Sequence, residues 1–219
     1  MSKNLVILCD GDFPKNPYPR MILQNADFII CCDGALDSFL RNRQKIFSFD
    51  KLPDVIVGDM DSLRPTHKKA FAELIVSSDD QETNDMTKAF RYAVDKVGNL
   101  ASITILGATG KREDHTIGNM SLLMDYATDP AAAGIEIQMI SDWSTIFPIT
   151  DTFEFSCGTG RRISILTPDN SLKIRSTGLQ WKTDNVVFDN WWKTTLNRST
   201  DDKVKLEFSH PSKALIVID

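Results

Sequence analysis

The pattern of apolar residues changes near residue 142 of this 219-residue chain, and this change constrains the fold more than any other feature. Before that point, short runs rich in β-branched residues alternate with segments of helical periodicity. After it, short apolar runs are separated only by turn signals, and no segment has a convincing helical pattern. The runs of the first part are 5–9, 28–32, 55–57, 74–76, 103–106 and 135–140, and those of the second part are 153–155, 163–166, 172–174, 186–188, 204–208 and 215–218.

The two patterns predict two kinds of sheet. Strands that alternate with helices are typical of a mainly parallel sheet. The run 204–208 instead alternates apolar with charged residues, which is typical of a half-buried antiparallel strand. We therefore expect an α/β N-terminal domain with a mainly parallel sheet over residues 1–141, a connection over 142–149, and an all-β C-terminal sandwich domain over 150–219.

The clearest helix in the sequence begins after residue 83 or 84. Thr83 and Asn84 are both residue types that cap a helix N-terminus, and Gly98 is a typical C-terminal stop. Lys88 lies on the same side as Asp85, away from the apolar face. The residues that recur at helical spacing and form that apolar face are Met86, Ala89, Phe90, Ala93, Val94 and Val97.

Charge and cysteine content limit the classes of partner. The net charge of −5 is spread along the chain, which argues against nucleic-acid or membrane-surface binding, because both favour a basic face. No apolar stretch approaches the length of a signal-peptide core or a membrane span. The 4 cysteines show no C-x-x-C spacing, which favours structural thiols in a reducing compartment. We expect a cytoplasmic protein that binds neither nucleic acid nor membrane.

Asp59 and Asp61 follow the apolar run 55–57 directly, after a glycine. A buried strand that ends in this way delivers charged side chains to the carboxyl edge of a sheet, where ligands of open α/β folds bind. The alternative is a solvated turn, since Asp and Gly are common turn residues. A second acid-rich segment, 79–85, runs into the helix that carries Lys88, and the two segments together favour one divalent cation. Carboxylates without Cys or His partners suit Mg²⁺ rather than zinc.

The segment 107–115 combines two glycines with Lys111 and Arg112. Its glycine spacing is too short for a P-loop, and it does not match G-x-G-x-x-G. Backbone N–H groups at glycines approach an anion closely, and a helix that begins near Asp114 would add its N-terminus. The segment is a candidate seat for a triphosphate, and the alternative is an ordinary turn between strand and helix. His115 is either a general base or, as is more usual at a helix start, a structural hydrogen-bond partner.

The tryptophans lie at the change in pattern or beyond it. Flat aromatic faces stack on ligands, but tryptophans also fill the core of a small sandwich. The sequence leaves both alternatives open for each of Trp143, Trp181, Trp191 and Trp192.

Three segments carry motifs in a recognisable order. Residues 54–62 are similar to D-x-x-x-G-D-x-D-S, residues 80–89 to D-Q-D-x-T-D-x-x-K-A, and residues 107–115 to G-x-x-G-x-R-x-D-H. Weaker similarities link 32–35 to A-D-G-G-A and 176–181 to S-x-G-L-x-W. Because these motifs occur in this order and the second half is β-rich, nearly the whole chain resembles the thiamine pyrophosphokinases.

The sequence also departs from that family's pattern. Glu82 stands where Asp is usual, and Asn84 stands where Thr is usual. The family's final S-N is matched only loosely, by residues 197–199. The acidic positions of the first two motifs otherwise match.

The resemblance implies an activity and an assembly. This family transfers the diphosphate of ATP to the hydroxyl of thiamine, giving thiamine diphosphate and AMP. Its members are homodimers whose active site lies between the α/β domain of one subunit and the sandwich of the other. ATP and thiamine are thus the implied partners, with Mg²⁺ as the implied cofactor.

The resemblance also implies residue roles. Thiamine carries a permanent cation and a flat pyrimidine, which suit an aromatic face, and Trp181 is the candidate for that face. Ser199 is the second implied thiamine contact. The implied metal ligands are Asp59, Asp61 and Asp85, and these three with Lys88 form the implied catalytic set. The implied ATP contacts are Asp33, Gln81, Gly107, Gly110, Lys111, Arg112, Asp114 and His115.

Two other functions fit the same motifs. One is a related diphosphotransferase that acts on another alcohol, such as a pterin, and differs only in the pocket of the second half. The other is a non-enzymatic module that binds ATP and Mg²⁺ without forming AMP.

Overall fold

The structure is a computed structural model that describes residues 2–219. The chain divides into two units. Unit 1 contains the described residues up to Leu122 together with Pro130–Asp142, and unit 2 contains Leu123–Asp129 and Trp143–Asp219. The fold class predicted from the sequence, an α/β part with a mainly parallel sheet followed by an antiparallel sandwich, is confirmed.

Six parallel strands form the sheet of unit 1. They are β1 (Lys3–Leu8), β2 (Phe28–Cys32), β3 (Val55–Gly58), β4 (Ile75–Ser77), β5 (Leu100–Leu106) and β6 (Glu136–Ile140). Their order across the sheet is β6-β5-β1-β2-β3-β4. Every residue of β3 is buried, as are the last four of β1, which is expected where helices cover both faces of a parallel sheet. Each of the six predicted runs overlaps one of these strands.

The helices of the described chain are short. They are α1 (Pro17–Gln24), α2 (Leu36–Phe47), α3 (Pro65–Ala70), α4 (Asp85–Lys96) and α5 (Glu113–Tyr126). Single 3₁₀ turns lie at Asp33–Ala35, Ala72–Leu74, Pro130–Ala132 and Trp191–Thr194. Within residues 2–219, no helix has both the length and the apolar character needed to cross a membrane.

Helix α4 forms as the sequence predicts. The side-chain oxygen of Asn84 accepts a hydrogen bond from the backbone N–H of Thr87 at 2.9 Å, so Asn84 rather than Thr83 is the N-cap. Met86, Ala89 and Phe90 of the predicted apolar face are buried. The cap fixes where the helix begins, and therefore places Asp85 in its first turn.

The strand order creates a topological switch point. The chain leaves β1 towards β2 and continues outward to β4, and it then returns to β5 on the other side of β1. The connections after β1 and β5 thus lead in opposite directions, which opens a crevice at the carboxyl edge of the sheet. Two backbone bonds join the loops that follow these strands: Gly11 donates to the carbonyl of Gly107 at 2.6 Å, and Asp12 donates to that of Thr109 at 2.8 Å.

Unit 2 is an antiparallel sandwich. Its strands are β7 (Thr145–Ile149), β8 (Phe153–Ser156), β9 (Arg162–Leu166), β10 (Ile174–Thr177), β11 (Asn197–Arg198), β12 (Lys203–Phe208) and β13 (Ala214–Ile218). One sheet has the order β11-β9-β13-β7 and the other β10-β12-β8. Apolar residues of both sheets, among them Ile165, Ile216 and Leu206, pack into one buried core. Burial of such side chains is the main stabilising term of the sandwich.

Two expectations for the second part need correction, and one further strand was not expected. The expected connection 142–149 contains β7, which pairs with β13. The apolar run 186–188 forms no strand; Phe188 packs into the core from a loop, while Val187 is exposed. The two-residue strand β11 was not expected, because Asn197 and Arg198 carry no strand signal.

Candidate active site

A cleft of about 270 Å³ opens at the carboxyl edge of the unit 1 sheet. Loops that follow β1, β2 and β5 line it, together with the N-terminus of α4. Of the residues that we assigned to ATP, metal or catalysis, those lining it are Asp33, Asp85, Gly107, Gly110, Lys111, Arg112 and His115. Those outside its lining, as far as the described chain shows, are Asp59, Asp61, Gln81, Lys88 and Asp114.

Three carboxylates converge beside this cleft. Asp33 follows β2, Asp59 follows β3, and Asp85 is the first residue of α4. One carboxylate oxygen from each lies within 4.8 Å of the others. The strand ends and the helix start therefore bring together acids that are far apart in the sequence.

Asp61 is not a member of this group of three. Its side chain is exposed, and its backbone N–H donates to Oδ1 of Asp59 at 3.0 Å. Met60 between them has a left-handed backbone with φ of 69°, which reverses the chain after Asp59. Asp33, which the resemblance implies as a nucleotide contact, is the third member of this cluster.

Asp33 is the buried member of the cluster. Burial raises its pKa to about 6, and the negative charge of Asp85 adds to the rise. The backbone N–H groups of Gly34 and Ser62 donate to its carboxylate and oppose the rise. Crowding of this carboxylate against another acid indicates a place where additional positive charge is favoured.

Lys88 supplies part of that positive charge. Its Nζ lies 3.2 Å from Oδ1 of Asp85 and 3.5 Å from Oδ2 of Asp59, and its side chain is only 4% exposed. Burial lowers the pKa of Lys88, but the two carboxylates outweigh this effect and hold the pKa above its usual value. The pKa of Asp59 is lowered, first by the N–H of Asp61 and then by Lys88. One ammonium against three carboxyl groups leaves a site that suits a cation with oxygen ligands.

Gly58 makes the cluster possible. A Cβ at this position would lie 3.0 Å from Cβ of Asp33 and 3.2 Å from Oδ1 of Asp85. Any larger residue would therefore require Asp33 or Asp85 to shift by a few tenths of an ångström. The absence of a side chain at Gly58 therefore leaves room for Asp33 and Asp85 to lie close together.

The glycine loop after β5 packs against the loop after β1. Gly110 has φ of 91°, and a Cβ there would lie 2.5 Å from Oδ2 of Asp12. Lys111 extends from this loop, and its Nζ pairs with Oδ1 of Asp10 at 2.8 Å. The glycine loop and one ammonium thus lie beside the cleft, which is compatible with an anion seat.

The start of α5 carries a second ion pair. Arg112 donates from Nε to Oδ1 of Asp114 at 3.0 Å, and both side chains are exposed. Arg112 lowers the pKa of Asp114 to about 2, and the backbone N–H of His115 contributes. The predicted helix start near Asp114 is confirmed, since α5 begins at Glu113.

The acid-rich segment before α4 divides into two roles. Asp85 joins the cluster, whereas Asp80 accepts from Thr83 Oγ1 at 2.7 Å and pairs with Arg91 at 3.0 Å, which holds the turn before the helix. Gln81 in the same turn is exposed. Sequence alone does not separate these roles, because both acids lie in one polar run.

Sequence reasoning missed Asn119 of α5. It is 9% exposed and lines the cleft. Its Nδ2 donates to the carbonyl of Ala108 at 2.8 Å, and its Oδ1 accepts from Nδ2 of Asn84 at 2.9 Å. A polar residue on an otherwise unremarkable helix is a weak signal, and only the fold shows what it contacts.

Unit 2 has a groove of about 290 Å³ beside Trp181. The indole is 56% exposed, and Asn197 holds the backbone of Trp181 from both sides: its Oδ1 accepts from the N–H at 3.2 Å, and its Nδ2 donates to the carbonyl at 2.6 Å. Lys193 also lines the groove and pairs with Asp189.

Ser199 is placed differently from Trp181. It is 2% exposed, donates to the carbonyl of Gly158 at 2.6 Å and accepts from the backbone N–H of Arg161 at 2.9 Å. In this structure its hydroxyl closes a turn. The core-filling alternative fails for the tryptophans, since all four are exposed: Trp143, Trp181, Trp191 and Trp192.

Family models match both parts of the chain. Residues 19–137 match the model described as thiamin pyrophosphokinase, catalytic domain, and residues 145–216 match the one described as thiamin pyrophosphokinase, substrate-binding domain. The chain is 34% identical over 203 residues to thiamine pyrophosphokinase 1 of Oryza sativa subsp. japonica, covering 82% of this chain and 74% of that protein. It is 29% identical over 214 residues to thiamine pyrophosphokinase 2 of Arabidopsis thaliana, covering 82% and 73%.

Solved structures share the fold. Yeast thiamin pyrophosphokinase superposes with a TM-score of 0.77 at 16% identity, over 99% of this chain and 86% of that one. Thiamine pyrophosphokinase from Bacillus subtilis gives 0.76 at 19% identity, over 99% of both chains. The fold and the sequence relatives together define the chain as an enzyme, a transferase of the kinase type. It belongs to the thiamine pyrophosphokinase family.

Proposed function

We propose that this protein transfers the diphosphate of ATP to the hydroxyl of thiamine, giving thiamine diphosphate and AMP. The observation that supports this most is the convergence of Asp33, Asp59 and Asp85 next to the glycine loop 107–111, at the switch point of the sheet. Charged phosphate oxygens and a divalent cation both find partners there. The similarity of residues 145–216 to a thiamin pyrophosphokinase substrate-binding domain supports thiamine as the acceptor.

We assign Mg²⁺ to the acidic cluster, with Asp59 and Asp85 as ligands and Asp33 as a third. Asp61 is retained as a further proposed ligand, since its exposed carboxylate lies on the same loop two positions from Asp59. The residues fit this cation: the donors are all carboxylate oxygens, and Lys88 neutralises only part of their charge. When bound, Mg²⁺ neutralises phosphate charge that grows during transfer.

The protein's own residues contribute position and charge. Lys88 holds Asp59 and Asp85 in one orientation through its ammonium group. Lys111 and Arg112 line the cleft, where they pair with Asp10 and Asp114. When the polyphosphate binds, the two cations leave these carboxylates and pair with phosphate oxygens. Charge neutralisation and alignment are the main requirements of such a transfer, because little covalent help from the protein is needed. Gln81 and His115 are proposed as outer contacts to the nucleotide.

For thiamine, we propose that the exposed face of Trp181 stacks on the cationic acceptor, with its backbone fixed by Asn197. Ser199 remains a proposed contact, although its hydroxyl supports a turn. A homodimer with its site shared between subunits is likewise a proposal that rests on the family resemblance. A location in the cytoplasm is a proposal that rests on the cysteine pattern, which favours structural thiols in a reducing compartment.

One assay tests the reaction against its alternatives. Purified protein is incubated with ATP and Mg²⁺, with and without thiamine, and AMP is measured. The proposal predicts AMP only when thiamine is present. AMP formed with a pterin alcohol but not with thiamine would assign a different acceptor, and ATP binding without AMP under any condition would contradict diphosphate transfer.

A further inference from the structure

A chain of side-chain hydrogen bonds joins α4 to the glycine loop. It runs from Asn84 to Asn119 at 2.9 Å and from Asn119 to the carbonyl of Ala108 at 2.8 Å. Asn119 is nine-tenths buried, and both ends of its amide have protein partners. Leaving either end without a partner would carry the desolvation cost of a buried polar group.

The ends of this chain are the two elements that the proposed reaction needs. Asn84 caps α4 through Thr87, and Asp85 of the acidic cluster is the next residue. Ala108 follows Gly107 in the loop proposed to seat the phosphates. Asn84, Asp85, Ala108 and Asn119 all line the same cleft.

We propose that Asn119, with Asn84, is a positioning residue pair that fixes the distance between the acidic cluster and the glycine loop. This inference rests on the proposed function. A metal at the cluster and phosphates at the loop must meet in one geometry, and small misplacements of reacting groups lower rates steeply. The pair acts through Asp85 and the loop.

Asn84 is well suited to this double task. The family pattern that the segment resembles has Thr at this position, which also caps a helix. Asparagine adds an amide donor on a longer side chain, and that donor is the one that contacts Asn119. The departure from the pattern is therefore one half of the link.

Serine at position 84 separates the link from the cap. Asn84→Ser keeps an N-cap residue but lacks the amide that contacts Asn119. Asn119→Ala removes the link from the other side. The matched control is Gln138→Ala, which deletes a side-chain hydrogen bond to Thr104 between β6 and β5, at 3.2 Å, away from the cleft.

The test measures kcat and KM for ATP and thiamine, and ATP affinity by calorimetry, for the wild type, the two single variants, their double and the control. Each single variant should lower kcat/KM for ATP about 10-fold, with the KM for thiamine changed less than about twofold. The double variant should lose about 10-fold and no more, because both changes break one link.

Other outcomes overturn the inference. Losses that multiply to about 100-fold in the double variant would show two independent effects. If Asn84→Ser and Asn119→Ala are less stable than the wild type but have the same kinetic constants as Gln138→Ala, the bond between Asn84 and Asn119 contributes to stability only. A wild type that forms no AMP with thiamine would reject the proposed function instead. In that case, the ATP affinities measured by calorimetry test the link. Non-additive losses of affinity in the two variants and their double support it, and unchanged affinities contradict it.

Discussion

The backbone N–H of Asp61 donates a hydrogen bond to Oδ1 of Asp59 at 3.0 Å. This bond is the largest contribution to the lowered pKa of Asp59. The main chain of Asp61 thus keeps Asp59 ionised and oriented, and the third carboxylate of the cluster comes from Asp33 on another strand end. The backbone of Asp61 thus supports Asp59, and the carboxylate of Asp61 stays a proposed ligand.

We expect Asp33→Asn to reduce turnover about as much as Asp59→Asn, by about 100-fold or more, because each removes negative charge from the cation site. The measurement is kcat for AMP formation on variants whose circular dichroism matches the wild type. Asp61→Asn should lower kcat as well, because Asp61 is a proposed ligand. Wild-type turnover of Asp33→Asn would remove Asp33 from the site.

Gly58→Ala should separate Asp33 from Asp85, since a Cβ there lies only 3.0 Å from Cβ of Asp33. We expect turnover to fall about 100-fold while the protein remains folded. Gly118→Ala in α5 is the control, because nothing lies within 4 Å of its Cβ position and alanine favours a helix. Equal activities of the two variants would show that the close approach at Gly58 is unimportant.

Trp181→Ala should raise the KM for thiamine about 10-fold and leave the KM for ATP nearly unchanged, because a cation on an aromatic face is lost. Asn197→Ala should change the same constant in the same direction, since it frees the backbone of Trp181. Steady-state kinetics with each substrate varied give both constants. A parallel rise in both KM values would indicate a folding role.

We expect the ionisation of Asp169 to make the stability of unit 2 depend on pH in the acidic range. Its pKa lies well below the usual value because the hydroxyls of Ser171 and Ser212, and His210, hydrogen-bond to the carboxylate. A lowered pKa in the folded state adds stability above the unfolded value, about 3.9, and this stability is lost as the pH falls below it. The difference in urea midpoint between the wild type and Asp169→Asn should therefore shrink as the pH falls from about 5 to about 2.

Asp95→Asn on the exposed side of α4 is the control for this titration. Its midpoint should stay close to that of the wild type, because its side chain is exposed and surface substitutions change stability little. A gap between the wild type and Asp169→Asn that stays constant down to the lowest pH would contradict the assigned titration.

Much of the fold followed from apolar periodicity. The run 55–57 predicts a buried strand, because a strand that is buried on both faces is continuously apolar. The periodic apolar face of α4 predicts a helix, because a helix that is buried on one face has apolar residues at helical spacing. Strand β7 was missed because Pro148 lies inside it and proline usually marks the end of a strand. Val187 and Phe188 have the composition of a strand, but they lie in a loop from which Phe188 packs into the core while Val187 is exposed.

The site was only partly accessible to the same reasoning. Spacing in the sequence identified Asp59 and Asp85 as ends of elements that meet at the sheet edge. It did not show that Asp33 lies beside them, because that proximity depends on how the strand ends meet in the fold. Asn119 was missed for a related reason: its partners lie in other elements.

The transfer itself is tested most directly by ATP labelled with radioactive phosphorus at the β position, incubated with thiamine, Mg²⁺ and the purified protein. The proposed reaction predicts that the label moves into thiamine diphosphate, with one unlabelled AMP released for each product, and that Asp59→Asn abolishes the transfer. Label that remains in ADP while thiamine gains a single phosphate, or no thiamine-dependent movement of label at all, would contradict it.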